Sequence, residues 1–279
     1  MDYYLSVATF AALNVVLALG LNMISGFCGQ VSLGHAAFYG LGAYAAALCS
    51  VAGMPFVLSV LVGVVVAGAF GVVVGFAALR VRDDFLAIVT MGVGFLFLGV
   101  VRKQAWLGAE MGIARIPSPM GKGGYALMAI GAAIALVLLS LHVRRSWMGR
   151  AFDAVAQDED AARTIGVDVA GYKTVAFLLG TASAGLAGAI YAHMTQLIVP
   201  DAFNFIQSIT ILAMVVVGGI GSTLGVVLGA VLLTVMPELF RFINDYKLLV
   251  YGALLLLVMR FSPEGFAGLY RRVTGRRLA

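Results

Sequence analysis

Long apolar segments separated by short polar turns dominate the chain. Apolar runs at residues 4–24, 55–79, 85–101, 125–141 and 175–197 are each long enough for a transmembrane helix, which needs about 20 mostly apolar residues. A Gly-rich run at 26–44, a short segment at 205–217 and two more at 224–240 and 248–259 complete the apolar pattern. The pattern predicts an all-α polytopic membrane protein of about eight to ten transmembrane helices. A transmembrane barrel is excluded, because its strands alternate apolar and polar positions. The one long polar interruption, from Arg144 to Lys173, is the stretch able to fold in water and meet a soluble partner.

Composition agrees with this reading. The chain is 62% hydrophobic and 11% charged, against roughly 25% charged in an ordinary soluble domain. The formal charge of +5 comes from Lys and Arg scattered between spans, as the positive-inside rule produces, so nucleic acid is not an expected partner. The densest basic clusters lie in the 142–173 loop and the 262–279 tail, which places both in the cytoplasm. The same count puts the Arg80 turn inside and the N-terminus outside. No basic residue precedes the first apolar segment, so it is read as a retained span. Cys28 and Cys49 lie in apolar stretches and make no disulfide framework.

Polar residues inside these spans are the candidates for function. Asn14 and Asn22 either hydrogen-bond a neighbouring helix or line a polar pathway. The 26–44 run combines frequent glycine with Gln30, Ser32, His35 and Tyr44. Irregular backbone at membrane depth survives only where it is buried or lines a cavity, so a broken or tightly packed helix beside a pathway is expected here. Asn22, Gln30, Ser32, His35 and Tyr44 are the pathway candidates, with packing as the alternative. Gly71 and Gly75, and Gly221, Gly225 and Gly229, recur every fourth residue as seams for close helix contact. The Gly218–Thr223 turn lacks the Gly-Lys-Ser/Thr of a phosphate loop. The paired Asp83 and Asp84 have no further ligand at metal-site spacing. Span interiors contain no Asp or Glu, which argues against an ion-coupled carrier. His35 and His193 have no carboxylate or cysteine partner at a spacing that suggests catalysis.

In the polar loop, Asp153, Asp158, Glu159 and Asp160 alternate with Ala, Val and Phe152, and Gly166 follows. Helices that lie on lipid prefer Lys and Arg on their polar face; an acidic cluster favours protein docking. Asp160-Ala161-Ala162, three residues, then Gly166 resembles the Glu-Ala-Ala-x-x-x-Gly coupling loop of ATP-binding-cassette importer permeases. Asp160 keeps the usual charge on a shorter side chain. The Gly29–Phe38 run (Gly-Gln-Val-Ser-Leu-Gly-His-Ala-Ala-Phe) resembles the branched-chain amino acid permeases in particular. So do Gly218-Gly219-Ile220-Gly221-Ser222 and Ser262-Pro263-Glu264-Gly265. The likeness covers nearly the whole chain and is greatest to the M-type permeases of high-affinity leucine/isoleucine/valine importers.

The resemblance implies one permease domain over 1–279 in a bacterial inner membrane. It implies a homologous second permease, two cytoplasmic ATPases and an extracytoplasmic substrate-binding protein as partners. ATP and Mg would be held by the ATPases, with no cofactor on this chain and no enzyme activity of its own. Asp158, Glu159, Asp160, Ala161, Ala162, Arg163 and Gly166 would then couple ATPase motion to the spans. The implied substrates are branched-chain or other apolar amino acids. Urea or short amides within the same family, and an ion-coupled secondary transporter outside it, are the alternatives.

Overall fold

The computed structural model describes residues 2–78 and 83–239 together with positions 249, 252, 253, 256, 260, 265, 266 and 268. The turn at Arg80, most of the 248–259 span and most of the 262–279 tail lie outside the described residues.

The chain is helical because its apolar segments must satisfy every backbone N–H and C=O internally when they enter hydrocarbon. Helix α1 (Asp2–Leu21) runs into a π-helical turn, Asn22–Phe27, and the helix then breaks over residues 28–34. Helix α2 (His35–Val51) restarts it, followed by α3 (Phe56–Ala78) and α4 (Asp83–Lys103). The expected break in the Gly-rich run is therefore present, between Phe27 and His35. Two 3₁₀ turns and strand β1 (Ile113–Ala114) lead to α5 (Lys122–Arg145). Two short helices follow, α6 (Trp147–Gln157) and α7 (Glu159–Thr164), then the long α8 (Val169–Thr195). Strand β2 (Leu197–Ile198), a 3₁₀ turn at Pro200–Phe203, α9 (Phe205–Gly218) and α10 (Thr223–Leu239) complete the described order.

Six described helices are long and apolar enough to cross a membrane, and His35–Val51 and Thr223–Pro237 are shorter apolar helices. The fold is an all-α polytopic membrane protein with one small addition. Strands β1 and β2 pair antiparallel, Ile113 opposite Ile198, and tie the α4–α5 connection to the end of α8. Two-residue strands leave no periodicity to read in a sequence.

Two helices are longer than their apolar runs. Helix α5 continues through His142 to Arg144 and Arg145, and the two arginine charges suit a helix C-terminus. Helix α8 begins at Val169, six residues before the expected start, because the Asp168 carboxylate accepts a hydrogen bond from the Gly171 N–H at 3.1 Å and caps it. The polar interruption is thus two short helices, a turn and the first turn of α8. Helix α8 packs against α2 and α3, with much of α3 facing outward, and α1 packs among α5, α8, α9 and α10. Small residues set these distances. A Cβ on Gly71 would lie 2.7 Å from Thr181 Cβ, and one on Gly75 would lie 3.0 Å from Phe177 Cβ. Both glycines therefore face α8 and leave room for the Thr181 and Phe177 side chains.

Candidate functional site

The α6–α7 segment is built by local rules that account for the signature spacing. Asp158 is the N-cap of α7: its Oδ1 accepts from the N–H groups of Asp160 (2.9 Å) and Ala161 (3.0 Å). The other end closes with paired bonds, Gly166 N–H to Arg163 O (3.1 Å) and Val167 N–H to Ala162 O (3.0 Å). This is the Schellman closure, which needs a left-handed residue just past the helix. Gly166 supplies it at φ +85°. Ala162, four residues earlier, is the buried residue of the helix and belongs to the apolar core beside Val167. The Ala-x-x-x-Gly interval is thus the interval between the buried and left-handed positions of one helix end.

Charges on α7 divide into two groups. Glu159 turns back onto the bundle and pairs with Lys173 of α8, which is buried. Lys173 was expected in the soluble loop; it lies inside the described structure because α8 starts early and carries it against α7. Asp160 points outward, 92% exposed, with Arg163 Nη1 at 3.0 Å, while Arg163 Nη2 reaches Glu159 at 3.5 Å. On α7 and its cap the exposed carboxylates are accordingly Asp158 and Asp160, with Asp153 exposed on α6, and Glu159 is an internal tie.

Helix α6 lies directly on the break in the 28–34 backbone. It is amphipathic, burying Gly149, Ala151, Phe152 and Val155. Gly29 (φ +74°) approaches it so closely that a Cβ would lie 3.1 Å from Ala156 Cα. The break is held from other sides by hydroxyls of distant helices. Thr90 Oγ1 on α4 accepts from Leu33 N–H at 3.0 Å, and Ser208 Oγ on α9 accepts from Ala36 N–H at 3.0 Å. These satisfy backbone donors that the start of a helix leaves orphaned. Thr90 and Ser208 were not singled out in the sequence, where a hydroxyl in an apolar helix carries no signal of its partner.

A second break, at residues 219–222 between α9 and α10, meets the first. Asn22 Oδ1 accepts from Gly221 N–H at 2.9 Å. Gly221 has φ +80° and lies in the turn before α10. It is therefore not a member of a helical seam with Gly225 and Gly229, because the helix starts only at Thr223. Gly229 faces α9, where a Cβ would lie 2.8 Å from Gly218 Cα, and Gly225 lies opposite Gly218 on the same contact.

Asn22, Gln30, Ser32, His35 and Tyr44 are all buried. Asn22 Nδ2, Ser32 Oγ and the Tyr44 hydroxyl have no hydrogen-bond partner among the described residues. The His35 ring faces the Leu17 carbonyl, but neither nitrogen forms a well-directed hydrogen bond. The structure brings four of the five to the break. Tyr44 sits nine residues further along α2, about 13 Å away at 1.5 Å per residue. There it packs edge-on against Phe97 and Phe203 with ring centroids 6.0 and 5.9 Å away. Asn14 makes a helix–helix contact, Nδ2 donating to Thr234 Oγ1 at 2.9 Å. His193 is likewise a packing residue, bonded to Ala189 O at 2.7 Å and edge-on to Phe56.

Two interrupted helices thus meet beside the amphipathic helix α6. Residues 3–259 match the family described as the permease component of branched-chain amino acid transport systems. The chain belongs to this family. It is 34% identical to the high-affinity branched-chain amino acid transport system permease protein LivM of Escherichia coli K12, over 95% of this chain and 70% of that one. It is 26% identical to the permease LivH of the same organism, over 93% and 92% of the two chains. The permease BraD of Pseudomonas aeruginosa is similar at 26% over 93% of each. No solved structure matches the chain. The protein is a multi-pass membrane permease, and Escherichia coli K12 holds two permeases similar to it, LivM and LivH.

Proposed function

We propose that the chain is the permease subunit of an ATP-driven importer that carries branched-chain or other apolar amino acids across the inner membrane of a bacterium. In this reading a homologous second permease completes the pathway, and two cytoplasmic ATPases, which hold ATP and Mg, dock on α6 and α7. An extracytoplasmic binding protein delivers the substrate. This chain holds no cofactor and catalyses no reaction. The observation that carries the proposal is the seat of α6: it rests on the Gly29 break through Ala156 while α7 is tied to α8 through Glu159 and Lys173. A push on α6–α7 therefore reaches both the broken helix with Asn22, Gln30, Ser32 and His35 and the central helix α8. Asp158, Glu159, Asp160, Ala161, Ala162, Arg163 and Gly166 form the coupling element, with Asp158 and Asp160 presented to the ATPase.

The test is purification of the tagged chain from native membranes beside the variant Asp160→Arg, followed by uptake assays in liposomes. Asp160 is exposed and ties only to Arg163, so its reversal leaves the bundle intact. The expected result is recovery of ATPase subunits and a second permease with the wild type, their loss with the variant, and ATP-dependent leucine uptake by the wild-type complex. Recovery of the chain alone, with uptake driven by an ion gradient, would overturn the proposal. Uptake of urea or short amides in place of leucine would overturn its substrate.

A further inference from the structure

A cleft of about 370 Å³ opens between α1, α9 and α10, with Tyr39 of α2 and Tyr191 of α8 at its inner wall. It lies at the end of the bundle away from α6 and α7, since Tyr191 is four residues from the end of α8, whose other end adjoins α7. Its lining is chemically mixed. Leu13 and Met214 are apolar, whereas Asn14, Gln207, Thr210 and Thr234 bring amide and hydroxyl groups, and no charged residue lines it among the described residues. A hydrocarbon tail in this space would leave the Gln207 side-chain amide and Asn14 Oδ1 unpaired at a cost. Water or a polar solute satisfies them. The volume falls at the lower end of small-ligand sites.

The hydrogen bonds inside the wall show what remains for a ligand. Thr234 donates to Ala230 O (2.7 Å) and Thr210 to Ile206 O (2.9 Å), so each hydroxyl has spent its proton and keeps acceptor capacity. Asn14 spends Nδ2 on Thr234, which leaves Oδ1 as an acceptor. Gln207 has its backbone N–H capped by Asn204 Oδ1 (3.0 Å), but its side-chain amide has both donor and acceptor open. The cleft thus offers several acceptors, one amide donor and an apolar wall. That set suits an ammonium, a carboxylate and an aliphatic side chain, respectively.

We propose that this cleft is a transient binding site for the transported amino acid, the ammonium taken by Asn14 Oδ1 and Thr210, the carboxylate by the Gln207 amide, and the side chain by Leu13 and Met214. The proposal rests on the amino-acid permease reading above. Neutral partners hold a zwitterion weakly, as a site on a pathway must if the solute is to leave it.

The experiment uses the whole complex in liposomes with ATP inside the ATPase compartment. Thr210→Trp fills the cleft and is expected to lower leucine uptake at least tenfold while the subunits still co-purify. Gln207→Leu is expected to raise the leucine KM severalfold with a smaller change in maximal rate. In a third variant, Thr210→Cys, excess leucine is expected to slow modification by a water-soluble thiol reagent, and arginine to leave the rate unchanged. Gln207→Cys serves the same purpose if Thr210→Cys fails to assemble. Normal uptake by Thr210→Trp, or labelling insensitive to leucine in both cysteine variants, would overturn the cleft as a site. Absence of leucine uptake by the wild-type complex would instead overturn the amino-acid reading, so the two failures are distinct.

Discussion

Two single residues, Gly166 in the turn between α7 and α8 and Asn22 between the two helix breaks, each make a testable claim. Gly166 closes α7 in a left-handed conformation with open space around it. A β-branched side chain there meets no neighbour, yet must adopt a φ that costs about 1–3 kcal/mol. The expected outcome for Gly166→Val is a folded, membrane-inserted subunit whose α7–α8 turn is displaced. ATP hydrolysis by the assembled complex should continue while leucine uptake falls severalfold; wild-type uptake would count against the turn as a transmitter. Asn22 joins the two helix breaks through the Gly221 N–H. Asn22→Leu removes the acceptor and leaves that part-buried donor unpaired, a loss of about 1–3 kcal/mol. The purified protein is expected to melt several degrees lower in detergent, whereas an unchanged melting temperature would mean that the Asn22–Gly221 bond contributes nothing. Asn22 drew attention in the sequence as an amide among apolar residues, but its partner lies 199 residues away. Polarity was readable there; pairing was not.

Helix α7 poses a different problem, because its charges serve two masters. Lys173 is almost fully buried and pairs with Glu159, which is mostly covered. Removing Lys173 leaves Glu159 with the longer Arg163 contact at 3.5 Å and costs up to about 3–5 kcal/mol, while replacing both by apolar or neutral groups costs far less. Lys173→Met is therefore expected to lower expression and melting temperature strongly, and Lys173→Met with Glu159→Gln to recover most of the loss. Equal destabilisation by the single and double variants would show that the pair is not a tie. For the same reason docking is tested at the exposed Asp160 and not at Glu159, where an arginine would place a second cation against Lys173 and disturb the subunit itself. The α7 segment was legible in the sequence as a signature, Asp160-Ala161-Ala162 and then Gly166, whose spacing the structure traces to the buried Ala162 and the left-handed Gly166 of one helix end. The N-cap role of Asp158 emerged only with the fold. The start of α8 was not legible, because hydropathy ends at the first polar residues while a helix continues as long as its cap and its neighbours hold it. Gly221 was misplaced for a related reason: an i, i+4 interval is evidence of a seam only where the helix is continuous.

Across the whole molecule, independent contacts agree on which ends lie together. The β1–β2 pair and the Arg102–Asp201 ion pair at 2.5 Å gather the ends of α4 and α8 with the start of α9. The α6 contact with Gly29 and the Asn22–Gly221 bond gather the opposite ends of α1, α5, α8 and α9. The long connection at 104–121 therefore lies on one face and the α6–α7 segment on the other. Basic residues His142, Arg144 and Arg145 end α5 on the α6–α7 side, which the positive-inside rule assigns to the cytoplasm. Met111 in the 104–121 connection is 87% exposed and Ile165 beside Gly166 is 74% exposed, so both report accessibility with little effect on packing. In intact cells stripped of their outer membrane, Met111→Cys is expected to react with a membrane-impermeant thiol reagent, and Ile165→Cys to react only after permeabilisation. Bound ATPase should then slow labelling at Ile165→Cys and leave Met111→Cys unaffected, because Ile165 adjoins the docking surface and Met111 lies across the membrane from it. The reverse labelling pattern would invert the protein. It would also carry the acidic face of α7 to the side without ATP, and with it the whole coupling scheme.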